Sequence, residues 1–277
     1  IIFIQRGVGF RPWLSAVFLT LSKILKKKVV YDFDDPLFMQ HPFVTRYLIK
    51  YSDLVIVGSH ALSAYTKQLN RNVALIPTSA NLKLYKIKED KKANTPLRLG
   101  FISSQSSAVY INLIIKPLEI LAKKYDYELL IVSAKTWNEY KKLEKIFNKL
   151  KEKDIKIKLL LWSIKKEYDF LQKIDIGLAP LARGTEELFK CGFRVINYMA
   201  AGVPPVASAY GEHLFIIKDG YNGYLCKNTE DWVQKLKTLI ENPELRWKMG
   251  LNARKTVEEK FSLEKNTVYL AKLLMTL

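Results

Sequence analysis

The residues best suited to chemistry lie close together between Lys190 and Ser208. A helix predicted over 191–201, at 100° per residue, puts Lys190, Arg194 and Asn197 on one face. Two cations and an amide beside the positive start of a helix suit a diphosphate: the cations offset its charge, backbone N–H groups bind its oxygens and the amide binds a sugar hydroxyl. A solvated polar face has the same pattern, so both interpretations stay open.

Three carboxylates form a second candidate group at Asp32, Asp34 and Asp35, between an apolar run and Pro36. The first interpretation is turn structure, because an Asp before proline hydrogen-bonds its own backbone. The second is a catalytic or acceptor-side role, and the third is a metal site built from oxygen ligands. The sequence leaves all three open.

Cysteines and histidines offer little chemistry in this chain. The sequence contains two cysteines and three histidines, far apart from one another. That number excludes a disulfide framework, and the spacing fits no usual metal site. Ordinary packing and a reducing, cytoplasmic compartment are the expectation.

The formal net charge is +18, and lysine supplies most of the basic residues. Residues 1–88 hold 13 Lys and Arg against 4 Asp and Glu, so half of the excess lies in under a third of the chain. A basic face there could contact anionic lipid or an anionic substrate. Nucleic acid is not expected, because no zinc finger, RNA-binding aromatic signature or basic region joined to heptads is present.

The elements that must position these residues alternate between short apolar runs and amphipathic segments. Runs that are apolar at nearly every position, separated by helical patterns, indicate parallel sheets covered on both faces. The sequence therefore predicts an α/β fold of two successive doubly wound units. The predicted strands are 1–5, 29–33, 54–58, 73–77, 97–102, 128–132, 157–161, 176–180, 205–207 and 223–226.

Domain boundaries follow from composition. We predict a first domain over 1–88, a polar linker over 89–96, a second domain over 97–261 and a C-terminal helix over 262–277. The first domain offers four strands where a doubly wound unit usually has about six. Because the chain begins with Ile1 rather than Met, we expect the first domain to be truncated at its N-terminus.

The segment Lys190–Ser208, followed by Gly211-Glu212 and by residues 219–223, resembles the donor-site segment of glycosyltransferase family 4. The members of this group 1 family have the GT-B fold, with two Rossmann-like domains, and retain anomeric configuration. Six other stretches resemble the family in order and spacing: 30–36, 53–59, 75–78, 99–104, 162–163 and 175–181.

The resemblance implies a metal-independent, retaining, hexosyltransferase-type enzyme that uses a UDP- or GDP-sugar without any cofactor. The sugar would pass to a glycan or lipid-linked acceptor, in cell-surface polysaccharide synthesis. The C-terminal helices would pack back toward the first domain, which mainly holds the acceptor. The protein would be cytoplasmic and peripheral at the inner face of the plasma membrane, where its basic first domain meets anionic lipid.

The resemblance also assigns site residues. Asp34 aligns with a His that many relatives place beside the sugar, and Lys190 faces the diphosphate, so these two are the catalytic candidates. Phe189 and Asn197 stand where the family has paired acids, and Glu186 and Glu187 are the two candidate replacements, between which the sequence does not decide. The predicted donor-binding residues are Ser103, Ser104, Trp162, Glu187, Lys190, Arg194, Asn197, Gly211 and Glu212.

Two alternatives remain. One is a non-catalytic module of the same fold that binds sugar nucleotides or glycans, which the altered acid positions favour. The other is a basic protein that binds polyanions, whose affinity would fall steeply with salt.

Overall fold

Two parallel β-sheets carry the fold. The computed structural model describes residues 1–7, 12–87 and 94–277. The first sheet has the strand order β1-β2-β3-β4, and the second has β10-β9-β8-β5-β6-β7. Every pairing within both sheets is parallel. The predicted α/β class with two Rossmann-like units is confirmed.

The elements run in chain order as follows. Through the first sheet they are β1 (Ile2–Gln5), α1 (Pro12–Ile24), β2 (Val29–Phe33), α2 (Leu37–Gln40), α3 (Pro42–Tyr51), β3 (Leu54–Val57), α4 (His60–Lys67) and β4 (Val73–Leu75). The remaining elements are β5 (Leu97–Ile102), α5 (Ile115–Ala122), β6 (Tyr127–Ala134), α6 (Trp137–Lys142), α7 (Glu144–Lys151), β7 (Lys156–Leu161), α8 (Ile164–Lys173), β8 (Ile176–Ala179), α9 (Thr185–Leu188), α10 (Phe193–Ala200), β9 (Pro205–Ser208), α11 (His213–Ile216), β10 (Tyr224–Cys226), α12 (Thr229–Glu241), α13 (Pro243–Lys260) and α14 (Leu263–Met275), with 3-10 helices at Leu82–Leu84 and Ala108–Ile114.

The chain divides into two compact units, neither of which is continuous in sequence. The first comprises Ile1–Ser79, Gly184–Gly192 and Leu263–Leu277, and the second comprises Ala80–Arg183 and Phe193–Ser262. This division differs from the sequence-based boundaries in assigning 80–87 to the second unit and 184–192 to the first. Most of the predicted linker, residues 89–93, lies outside the described residues.

Alternation along β2 shows how the first sheet is covered on both faces. Tyr31 and Phe33 point into one core, whereas Val30 points into the other, since successive side chains of a strand lie on opposite faces. Helix α14 covers the Val30 face with Leu270, Leu273 and further leucines at helical spacing. Of the three C-terminal helices, only α14 belongs to the first unit.

Apolar side chains bury both faces of the second sheet as well. Leu99 and Phe101 of β5 lie in one core, and Ile102 and Leu130 lie in the other. Buried parallel strands of this kind end where the chain turns into the next helix, so polar residues just after them share one edge of the sheet. In the described part of the chain, no helix is both long and apolar enough to cross a membrane.

Candidate functional site

A cavity of about 520 Å³ lies in the second unit. It is lined by five of the predicted donor-binding residues: Ser103, Ser104, Trp162, Arg194 and Asn197. The two serines follow β5, Trp162 follows β7, and the other two lie on α10. The structure therefore brings these five together at the carboxyl edge of the sheet, where ligands bind in such folds.

The serines are held by the neighbouring strand and by their own turn. Ser103 N donates to Val132 O at 2.9 Å, and its hydroxyl lies 2.9 Å from the Ser133 hydroxyl. Ser104 Oγ accepts from Ser107 N at 3.3 Å, as expected of a serine that caps a turn. At the end of β5 the cavity is therefore lined by serine hydroxyl groups and not by charged side chains.

A chain of hydrogen bonds crosses the cavity wall. Trp162 Nε1 donates to Glu167 Oε2 at 2.6 Å, and Asn197 Nδ2 donates to Glu167 Oε1 at 2.9 Å. Tyr85 Oη donates to Asn197 Oδ1 at 2.7 Å. Burial, together with nearby Tyr168 and Glu167, raises the pKa of Tyr85, so the phenol stays protonated and keeps donating.

Glu167 is the functional candidate that sequence reasoning missed. It lies in the first turn of α8, five residues after Trp162, which follows the end of β7. Lys135 and Glu139 line the same cavity and were missed too. Lys135 Nζ lies 5.0 Å from the centroid of the Trp162 ring. All three lie just after a strand or in the first turn of the next helix, so a search of those positions in the sequence would find them.

Arg194 is a cation that has no acidic partner among the residues the structure describes. Its Nη1 donates to Pro180 O at 3.2 Å, and its Cζ lies 5.0 Å from the centroid of the Phe101 ring. Burial lowers the pKa of Arg194, yet a guanidinium stays charged in proteins. Among the described residues, no carboxylate forms an ion pair with it. A mostly buried charge of this kind is costly unless an anion binds beside it.

The prediction that Lys190 shares a helix face with Arg194 and Asn197 is wrong. Helix α10 begins at Phe193, because Gly192 has φ +68 in the left-handed region and interrupts the helix. Lys190 lies before this break, in the segment 184–192 that belongs to the first unit. Neither it nor Glu187 lines the cavity of the second unit.

Contacts within the first unit explain why the segment 184–192 belongs there. Ser59 Oγ donates to Phe189 O at 2.9 Å, and Cys191 Sγ donates to Asp34 O at 3.1 Å. The Phe189 ring packs edge-on against Phe38, with centroids 5.1 Å apart. Phe189, which the resemblance places at one of the family's acid positions, is a packing residue in this chain.

Gly211 and Glu212 lie on the loop between β9 and α11 and do not line the cavity. Gly211 has φ +56, and the Glu212 side chain is buried. Next to them, His213 Nδ1 donates to Ser208 O at 3.0 Å, and burial lowers the pKa of His213 to about 4. A neutral imidazole thus anchors this loop to the end of β9.

Asp34 is part of an ion pair in the first unit. Its Oδ1 accepts from Arg6 Nε at 2.8 Å, and Arg6 Nη2 also contacts Asp35. Asp32 is more buried: burial, and then the charge of Asp34, raises the pKa of Asp32 to about 6. Gln5 Nε2 donates to Asp32 at 3.2 Å. In the part of the chain that the structure describes, no three acidic, His or Cys side chains gather as metal ligands.

A sequence profile described as "Glycosyl transferases group 1" matches residues 85–256. The matched range includes every residue that lines the cavity of the second unit.

Curated relatives match this chain over part of their length. N-acetyl-alpha-D-glucosaminyl L-malate synthase of Bacillus anthracis is 24% identical over 236 residues, which are 79% of this chain and 58% of that protein. Putative glycosyltransferase EpsD of Bacillus subtilis is 34% identical over 91 residues, which are 32% of this chain and 23% of that protein. The chain thus spans less than two thirds of either relative.

Among solved structures, that of Anabaena Alr3699/HepE in complex with UDP and glucose superposes with a TM-score of 0.79 at 18% identity. The match covers 99% of this chain and 78% of the other. At this level of identity the match shows a common fold.

Proposed function

Because the chain belongs to the group 1 glycosyl transferases, we propose that its second unit binds the nucleoside diphosphate of a sugar donor in the cavity beside Arg194. Arg194 carries the proposal, because its mostly buried charge has no acidic partner among the described residues. A diphosphate offers paired oxygens that a planar guanidinium can bind. The family match over the same residues supports a ligand of this class.

The proposed reaction is sugar transfer from this donor to a glycan or lipid-linked acceptor, with retention of configuration and without an obligatory metal. UDP is the first candidate for the nucleotide, since the structurally similar Alr3699/HepE was solved with UDP and glucose. GDP is the second. A role in cell-surface polysaccharide synthesis remains part of this proposal.

Electrostatics would drive the chemical step. Positive charge beside the departing diphosphate stabilises the negative charge that develops as the glycosidic bond breaks. Arg194 would supply this charge in the second unit. By resemblance to the family, Lys190 would add to it and Asp34 would act beside the sugar. Asp34 accepts a hydrogen bond from Arg6, which fixes its carboxylate.

Replacing Arg194 tests the proposal. Titration of UDP and GDP into Arg194→Ala is expected to show an affinity lower by about tenfold or more, or about 1.4 kcal/mol, because the cation for the diphosphate is gone. Arg194→Lys should restore part of the loss, since the charge returns without the planar pair of donors.

Arg183→Ala is the matched control, because Arg183 is an exposed arginine of the second unit that does not line the cavity. It should bind nucleotide like the wild type. Equal affinity in Arg194→Ala, in a protein whose thermal melting is unchanged, would contradict the assignment.

A second candidate function is a binding module without catalysis. The observation in its favour is that the positions aligned with the family's two acids hold Phe189 and Asn197, so neither offers a carboxylate. Both side chains have structural contacts instead: Phe189 packs against Phe38, and Asn197 is held by Tyr85 and Glu167. A product assay with radiolabelled donor separates the two functions. Donor binding without transfer or donor hydrolysis would favour the module.

Peripheral membrane association is proposed for the first unit. Helix α1 exposes Trp13, Val17, Leu21 and Ile24 at helical spacing, and the exposed lysines Lys26–Lys28 follow directly. Apolar side chains beside a basic cluster are typical of segments that lie on anionic lipid. The protein would then work at the inner face of the plasma membrane.

A further inference from the structure

Arg194 and Glu167 line the same cavity, yet the two opposite charges do not neutralise each other. Glu167 accepts only from neutral groups, Trp162 Nε1 at 2.6 Å and Asn197 Nδ2 at 2.9 Å. Among the described side chains, no cation forms an ion pair with Glu167, and no carboxylate forms one with Arg194. A ligand that satisfies both must bring negative charge to one and hydrogen-bond donors to the other.

A carboxylate accepts hydrogen bonds at about four positions and donates none. In Glu167 each oxygen already accepts one bond, which leaves further lone pairs for a ligand. Two adjacent hydroxyl groups match two carboxylate oxygens, as paired N–H donors do in bidentate contacts. The ribose of a nucleotide carries such a pair of hydroxyls. The phosphates of the same nucleotide carry the negative charge that would pair with the Arg194 guanidinium.

Asn197 is less suited to this role than Glu167. Its Oδ1 accepts from Tyr85 Oη at 2.7 Å, and its Nδ2 donates to Glu167 Oε1. Each end of the amide keeps one further hydrogen-bonding position, but the side chain is only 3% exposed, which leaves little of it open to a ligand. What the amide does is hold the Glu167 carboxylate, with Trp162 fixing the other oxygen.

We propose that Glu167 is the residue that recognises the vicinal ribose hydroxyls of the donor nucleotide, and that Asn197 positions it. The inference rests on the proposed function, because it takes the ligand of the cavity to be a nucleoside diphosphate. It moves the recognition of hydroxyls from α10, where the sequence places it, to the first turn of α8. An ordered carboxylate gives the cavity selectivity, since a nucleotide lacking the hydroxyls leaves the remaining lone pairs of Glu167 desolvated and without a donor.

The test compares each of UDP and GDP with its 2′,3′-dideoxy analogue by calorimetry on the whole chain. The nucleotide that the wild type binds more tightly is used for the variants. The wild type is expected to prefer the hydroxylated form by about tenfold or more. In Glu167→Gln this preference should fall to about threefold or less, because a neutral amide replaces one acceptor by a donor.

Two further variants make the result specific. Asp169→Asn removes an exposed carboxylate of the same helix, α8, that does not line the cavity, and it should keep the full preference. Asn197→Ala should lower affinity but keep part of the preference, since Trp162 still holds Glu167. Thermal melting and circular dichroism check that each variant folds.

The outcomes separate this proposal from the one on which it rests. Wild-type binding that depends on Arg194 but ignores the ribose hydroxyls would overturn the role of Glu167 and leave the diphosphate site intact. A preference lost in Asn197→Ala and kept in Glu167→Gln would overturn it as well, in favour of direct contact by Asn197. If the wild type binds neither nucleotide, both proposals fail together.

Discussion

Asp32 is a carboxylate whose affinity for protons the fold increases. Burial, and then the negative charge of Asp34, raises the pKa of Asp32 to about 6. In the unfolded chain an aspartate titrates near about 3.9. Between these two values the folded state binds more protons than the unfolded state, so this group makes the protein less stable as the pH rises through that window.

Asp32→Asn is therefore expected to stabilise the first unit at pH 8, by roughly 1–2 kcal/mol, because the cost of a partly buried charge disappears. Near pH 3.5 the variant and the wild type should be equally stable. Urea unfolding at both pH values, followed by amide exchange of β2, measures the difference.

Asp169→Asn is the control, since Asp169 is exposed and on the second unit. It should change stability equally little at both pH values. A stabilisation by Asp32→Asn that is the same at pH 3.5 and pH 8 would show that the charge of Asp32 is not its cause.

Single residues also show where sequence reasoning reaches its limit. Trp162 and the two serines were assigned by resemblance to the family, and they lie together because residues after the strands of a parallel sheet meet at one edge. The partner of Asn197 could not, since Tyr85 is 112 positions away in sequence. Lys190 was misplaced because the helix pattern was carried across Gly192, where the backbone turns to positive φ.

At the scale of elements, the strands were predicted well because each is a short apolar run with turn residues after it. The helix predicted over 191–201 is α10, Phe193–Ala200, so its start was predicted two residues too early and its end one residue too late. Helix α10 ends at Ala200, and Gly202 follows with φ +70, so Val203 N can return to Tyr198 O at 2.9 Å. This closing turn is the glycine-dependent C-cap that the sequence Ala-Gly at 201–202 indicates.

Helix α14 gives the first sheet one of its two covers. Its leucines pack on Val30, Leu54, Ile56 and Ala74, which would otherwise face water. The sequence predicted a C-terminal helix over 262–277, and the family resemblance implied that the C-terminal helices pack toward the first domain. The structure assigns α14, but neither α12 nor α13, to the first unit.

Leu273→Ala is expected to lower the unfolding free energy of the first unit by about 1–2 kcal/mol, because apolar contact with the sheet is lost at a partly buried position. Hydrogen exchange should show faster opening of β2 and β3, with the strands of the second unit unchanged. Lys272→Ala, exposed on the same helix, should leave exchange as it is in the wild type. Uniformly faster exchange in both units would mean that they unfold as one.

For the whole molecule, charge and apolar exposure are the two observations behind the proposed lipid-facing surface of the first unit. The net charge is +18, and the lysines after α1 stand beside its exposed apolar side chains. Binding to a vesicle should therefore need anionic lipid. It should weaken as salt is added, because salt screens the attraction between the lysines and the lipid headgroups.

The double variant Lys26→Glu and Lys27→Glu tests this surface. Co-sedimentation with phosphatidylcholine vesicles that contain phosphatidylserine is expected to fall several-fold, because two attractive charges become repulsive. The matched control, Lys141→Glu with Lys142→Glu, changes the net charge equally on exposed positions of the second unit. Equal losses in both double variants would point to general polyanion binding instead of a lipid-facing surface.

The chain passes between its two units four times, at 79–80, 183–184, 192–193 and 262–263. No single proteolytic cut can therefore release either unit intact. A gene fragment that encodes residues 80–262 would carry the nine residues from 184 to 192 without Ser59 and Phe38, which hold them. A short linker between Arg183 and Phe193, in place of residues 184–192, would therefore suit expression of the second unit alone.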